Sequence, residues 1–181
     1  MTKFKSKKFL AHTFLFFYVK NLKGGTLIRP LFMDFKSEKY KENLFELDSQ
    51  FMLGSNLMGS PVLNPGERMK RTYFPDEKFY DFYDGTLMNP KGEGFVSVEA
   101  NLNKLLLFAR GGFITPLQLV NKDCSSVECM RKKPIELLIA LDQNLRAIGR
   151  VFFDDGFCKL IFLFFYFFFV FYKIALILEY I

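Results

Sequence analysis

Tryptophan is absent from this chain of 181 residues, histidine occurs once and cysteine three times. Each shortage removes a class of function. Without tryptophan there is no binding face of exposed indoles. A zinc site needs several ligands at suitable spacing, and the single histidine, His12, lies far in sequence from every cysteine. No metal or cofactor is therefore expected. Cys124 and Cys129 are close enough to close a loop disulfide in an oxidising compartment, which leaves Cys158 unpaired, but the favoured reading is three free thiols. The net charge is modest at +6, and the basic clusters at Lys3–Lys8 and Arg131–Lys133 read as solvated surface. No basic face interleaved with base-stacking groups is visible, so nucleic acid is not an expected partner.

What is abundant is phenylalanine, at 25 residues, ten of them in the last thirty positions. Half of the composition is apolar, enough for a packed core. Near the N-terminus, lysines followed by the apolar run Phe9–Val19 resemble a signal peptide. Lys20-Asn21-Leu22-Lys23 stands where small cleavage-site residues belong, so a buried helix ended by Gly24-Gly25 is the preferred reading. Thr26–Leu31 reads as a strand buried on both faces, which makes an αβ step of a parallel sheet or barrel. Asp34–Asn43 reads as a loop and Leu44–Leu53 as a short helix.

From Leu57 the pattern turns to short strands separated by turns. They are expected at Leu57–Leu63, Thr72–Phe74, Lys78–Phe82, Phe95–Val98, Leu105–Ala109 and Phe113–Leu119, the signature of an antiparallel sandwich. Asn64-Pro65-Gly66 and Asp84-Gly85 supply turn chemistry between them. Ile135–Leu141 and Ala147–Phe153 are then expected to form a hairpin around Asp142-Gln143-Asn144.

Seven short motifs run in order through this region. They are Arg29-Pro30-Leu31-Phe32, Gln50-Phe51-Met52-Leu53-Gly54, Ser60–Gly66, Tyr73-Phe74-Pro75, Phe79-Tyr80-Asp81, Arg110–Gln118 and Val151–Gly156. Together with Leu10–Leu15 they resemble the C-terminal part of glycoside hydrolase family 31, the α-glucosidase family. Departures include alanine for proline at Ala11 and phenylalanine for tryptophan at Phe79 and Phe153. The resemblance implies a mainly β fold: C-terminal β-sandwiches preceded by the last helix–strand–helix of a (β/α)8 barrel. Residues 1–55 would end the barrel, 56–120 form the proximal sandwich, 121–157 begin the distal one, and 158–181 make a hydrophobic tail. It also implies a parent enzyme acting on α-glucosides or oligosaccharides in the secretory pathway, lysosome or extracellular space.

That family cleaves with retention, using two carboxyl groups roughly 5–5.5 Å apart. Neither of its catalytic aspartate motifs occurs here, so no catalytic residue is assigned and the substrate-binding residues stay undefined. Asp154-Asp155 is the tempting pair. Adjacent strand residues point to opposite faces, and Asp-Asp-Gly is turn chemistry, so a structural role is expected. His12 reads as a packed helical residue. Arg29 is expected to pair with a carboxylate or with carbonyls, and Arg110-Gly111-Gly112 to make a strand-end turn. Two further readings stand beside the inactive enzyme fragment. One is a non-catalytic carbohydrate-binding or interaction module, tethered to a membrane through residues 160–178 and using Phe79, Tyr80, Phe82 or Tyr83; the other is a chain that completes a barrel supplied by a separate polypeptide.

The tail has three competing readings. Leu160–Leu178, apolar except for Lys173, is long enough as a helix to cross a bilayer. It also suits a fully buried helix. Its residue types, written mostly by AT-rich codons, favour translated intron sequence over either. Mass spectrometry of native material decides this: recovery of peptides beyond Lys173 removes the intron reading.

Overall fold

The computed structural model describes residues 26–36, 41–101, 104–118, 129, 135–154, 160–170 and 173–180. The N-terminal helix expected before Gly24, and His12 within it, lie outside the described residues. The elements named among the described residues are twelve strands and two short helices. They are β1 (Ile28–Pro30), α1 (Leu31–Asp34), α2 (Lys41–Glu46), β2 (Phe51–Leu53), β3 (Leu57–Gly59) and β4 (Met69–Phe74). Then come β5 (Phe79–Asp81), β6 (Gly94–Glu99), β7 (Leu107–Arg110), β8 (Phe113–Gln118), β9 (Ile135–Ala140), β10 (Arg146–Asp154), β11 (Leu160–Val170) and β12 (Lys173–Tyr180). Every described strand register is antiparallel.

The chain divides into two compact units. One comprises Thr26–Phe113 together with Ala140–Asn144. It holds a five-stranded sheet, in the order β1-β2-β3-β7-β5, and the two-stranded sheet β4-β6. Met52, Met58, Phe79 and Phe108 from the first sheet share one buried core with Tyr73, Phe74 and Val98 from the second. The aromatic rings interlock: Phe74 meets Phe108 edge-on at 5.0 Å between centroids and Phe79 at 5.7 Å. Such edge and tilted contacts add to the gain from apolar burial. Leu31, Phe35 and Leu44 close the core from the helical side.

The sequence reading of this unit needs three corrections. β1 is not buried on both faces: it is the edge of its sheet, pairs antiparallel with β2, and leaves Ile28 60% exposed. Pro30 explains the edge position, since it has no N–H to give a second neighbour. The helix expected over Leu44–Leu53 is also displaced. It spans Lys41–Glu46, and Phe51 already belongs to β2. Asp34–Asn43 is accordingly not all loop, because α1 reaches Asp34 and α2 starts at Lys41.

The other unit carries the sheet β12-β11-β10-β8-β9. The expected hairpin between β9 and β10 does not form, because β8 lies between them. The tail is not helical either. β11 pairs with β10 over nine positions and β12 with β11 over eight. A run that is apolar at every position carries no period to separate helix from strand, and Phe, Ile, Tyr and Val favour the pleated form. No helix among the described residues is long and apolar enough to cross a membrane.

Gly149 shows how closely β10 approaches β8. A Cβ placed on it would lie 2.6 Å from the Ile114 Cβ and 2.7 Å from the Ile114 carbonyl oxygen. Both distances are well inside van der Waals contact, and one obstacle is backbone. Gly149→Ala is therefore expected to destabilise this sheet by about 1–3 kcal/mol, read as a lower urea midpoint at unchanged slope.

Candidate functional site

Charged side chains are few in the interior, and the structure pairs them. Arg110 ends β7 and is 15% exposed. Its Nη2 donates to Glu77 Oε1 at 2.7 Å while Nε donates to Glu77 Oε2. This is the two-pronged geometry that a planar guanidinium and a carboxylate share. Nη1 reaches the Ser55 carbonyl at 3.3 Å, and the guanidinium lies over the rings of Phe35, at 4.5 Å, and Phe113, at 5.2 Å. Aromatic faces offer electron density to the cation that water would otherwise supply.

The turn beyond Arg110 is built as its glycines suggest. Gly111 N–H donates to the Lys78 carbonyl at 2.7 Å, and Gly112 N–H to the Ala140 carbonyl at 2.8 Å. Gly112 sits at φ +89°, where a side chain is strained. The same region receives Tyr80, whose hydroxyl donates to the Leu141 carbonyl at 2.9 Å. Burial, with a smaller contribution from the Asp142 charge, pushes the Tyr80 pKa above that of a free phenol.

Glu77 is itself held by a buried amide. Asn89 Nδ2 donates to the Pro75 carbonyl at 3.2 Å and the Glu77 carbonyl at 2.5 Å, and its Oδ1 accepts from Phe79 N–H at 2.9 Å. Gln50 plays the equivalent part between the sheets. Its Oε1 accepts from Tyr73 N–H at 2.9 Å and its Nε2 donates to the Tyr73 carbonyl at 3.0 Å, which reproduces a strand pair with one side chain. Asp81, almost fully buried, accepts from Lys104 at 2.7 Å and from the amides of Tyr83, at 2.7 Å, and Asp84, at 3.3 Å. Asp84, near the surface, accepts from the Thr86 amide, which lowers its pKa below the usual carboxylate range.

The residues singled out from sequence are thus dispersed rather than convergent. Arg29 pairs with Asp34 at 2.7 Å and reaches the carbonyls of Thr26 and Gly54, as expected of it. Asp154 closes β10 opposite Leu160, whereas Asp155 lies outside the described residues. Of the four candidate stacking aromatics, Phe79 and Phe82 are core residues, and Tyr80 is tied through its hydroxyl. Tyr83 has Lys104 over its ring at 4.9 Å and the Phe82 ring edge-on at 5.4 Å. Cys129 is disulfide-bonded, which corrects the free-thiol reading for that residue; Cys124 and Cys158 lie outside the described residues. Among the described residues no group of three potential ligands could hold a metal. Asn89, Glu77 and the Asp81–Lys104 pair were not anticipated. Met88-Asn89-Pro90 signals only a turn, and partners far apart along the chain leave no local mark.

Two antiparallel sheets knit by buried amides and ion pairs define the class: an antiparallel, mainly β domain. Comparison with known proteins gives the family. Residues 24–115, half of the chain, match the family model described as the glycosyl hydrolase family 31 C-terminal domain. The probable alpha/beta-glucosidase of Arthroderma benhamiae is 32% identical over 149 residues, 82% of this chain and 17% of that protein. Human intestinal sucrase-isomaltase is 34% identical over 133 residues, 74% of this chain and 7% of that protein. Among solved structures, the glucosidase II alpha subunit bound to DNJ superposes with a TM-score of 0.75 at 24% identity, covering 87% of this chain and 17% of that one. The chain belongs to glycoside hydrolase family 31. It spans less than a fifth of the length of these relatives.

Removing either partner of the Arg110–Glu77 pair is expected to be costly, but unequally. Arg110 is 15% exposed and Glu77 38%, so a guanidinium left alone is the more poorly solvated survivor. Glu77→Ala should lower unfolding free energy by about 2–3 kcal/mol, and Arg110→Met by less. Equal losses in chemical denaturation contradict this assignment. Tyr80 gives a pH test. An acid whose folded pKa is raised favours the native state fully below the unfolded value of about 10, and the advantage fades above it. Tyr80→Phe should flatten the alkaline loss of stability, measured as denaturant midpoints between neutral and strongly alkaline pH.

Proposed function

We propose that this chain supplies the C-terminal scaffold of an α-glucosidase-type glycoside hydrolase and does not turn over glycosides by itself. One observation carries the reading. The strongly held carboxylates of Asp34, Glu77 and Asp81 each engage a basic side chain in a structural pair. A retaining glycosidase needs two carboxyl groups facing one bond. Those residues would therefore come from the part of a family-sized protein that lies outside this sequence. Residues 1–55 would contribute the closing end of its barrel, 56–120 the proximal sandwich and 121–157 the start of the distal one.

The helical side of the first unit supports this reading. Ile28, Phe32, Met33 and Phe45 are all exposed there, and the Phe32 and Phe45 rings lie 5.2 Å apart. A cluster of exposed large apolar groups is usually a covered surface in the working protein. Its natural cover is the remainder of the enzyme. The substrate class follows from relatives: a glucosidase II alpha subunit has been solved bound to Glc1Man2, and a Flavobacterium johnsoniae family 31 dextranase with isomaltotriose. The parent of this chain would act on glucosides or oligosaccharides of that kind. The disulfide at Cys129 fits an oxidising compartment.

The purified chain is expected to release no glucose from maltose and no chromophore from an aryl α-glucoside. Turnover at any rate that tracks the protein through purification overturns the proposal. The same preparation should enhance the fluorescence of a hydrophobic dye, and Phe32→Ser with Phe45→Ser should reduce the signal.

A further inference from the structure

Among the described residues β12 is one edge of the five-stranded sheet. Its sequence runs Lys173, five apolar residues, Glu179 and Tyr180. Within the sheet, the register sets Lys173 opposite Val170 and Glu179 opposite Phe164. β11 itself carries no charged residue. An edge strand presents a row of unpaired backbone donors and acceptors, and natural edges are guarded by prolines, bulges or charges along their length. From Ile174 to Leu178 β12 has none of these.

We propose that β12 pairs with β12 of a second copy of this chain, antiparallel about a twofold axis at Leu176. The positions of the two charges select this arrangement. Residues 173 and 179 are an even number apart and so share one face of the strand. Centring the axis at Leu176 sets Lys173 of each copy opposite Glu179 of the other. Between these two ion pairs stand Ile174 opposite Leu178, Ala175 opposite Ile177, and Leu176 opposite its own counterpart. Slipping the register by one residue sets Lys173 opposite Leu178 or Tyr180, and the charges lose their partners. Unlike charges directly across a strand pair stabilise it and like charges destabilise it. The contact is isologous, so it closes at two copies instead of propagating. The opposite edge, β9, carries Glu136 and no cation, so self-pairing there gains no comparable charge match.

Sedimentation velocity of the full chain over a dilution series should show a reversible dimer. Lys173→Glu alone and Glu179→Lys alone each place like charges opposite at both ends, and each should raise the dimer dissociation constant roughly tenfold. The double exchange restores unlike pairs and should return the constant to near its original value. A general folding defect would persist in the double variant, so recovery separates pairing from misfolding. A monomer at every concentration overturns the proposal, as do open-ended assemblies or failure of the double exchange to recover. Oxidised Leu176→Cys should migrate as a covalent dimer on non-reducing electrophoresis, and Ile174→Cys should not. The reverse pattern overturns the register.

Discussion

The ion pair between Arg110 and Glu77 is the constraint on which most of the first unit depends. A guanidinium cannot be buried at the end of β7 without a matched acceptor, and the aromatic faces of Phe35 and Phe113 only partly replace its water. Glu77 must therefore be delivered from another segment. That requirement fixes the path of Pro75–Lys78, which Asn89 holds by its carbonyls, and it places Lys78 where the Gly111 amide can reach it. Strand end, loop and turn are consequences of satisfying one charge.

A second rule governs the polar interior. Gln50 and Asn89 are neutral, almost fully buried, and each binds backbone with both ends of its amide. Ser60 and Thr72 meet hydroxyl to hydroxyl at 3.1 Å between the same two sheets. Short strands leave many ladder positions unfilled, and an unpaired buried peptide group is expensive. Side-chain amides close those gaps. Such bonds specify which backbone meets which, something the apolar contacts around Phe74 and Phe108 do less selectively.

Most strands were legible from alternation and turn residues, and the family from the order of its motifs, because both are local signals. Arg29's need for a partner was legible as well, since a charge on an apolar strand states its own cost. The edge position of β1, the placement of β8 between β9 and β10, and the pairing of Glu77 with Arg110 were not legible. Each depends on segments that meet only after folding. The tail misled for a different reason: length and hydropathy suggested a helix, but a run without polar punctuation has no period to read. Motif residues such as Gln50 and Arg110 were visible as a pattern long before their physical work was, and Asn89 lay outside the pattern altogether.

The position of β8 has a consequence for the order in which the second sheet assembles. β9 and β10 are separated by a turn short enough to make them the obvious first pair, yet neither hydrogen-bonds to the other. Their common neighbour comes from earlier in the chain, so β9 gains its place only by closing a longer loop. The meander β10-β11-β12 needs no such closure, because each strand pairs with the next. Local contacts form faster than distant ones at similar stability. The least local contact in the sheet is that of β8 with β10, which spans β9 and both its loops, so topology makes it the slowest pairing to close.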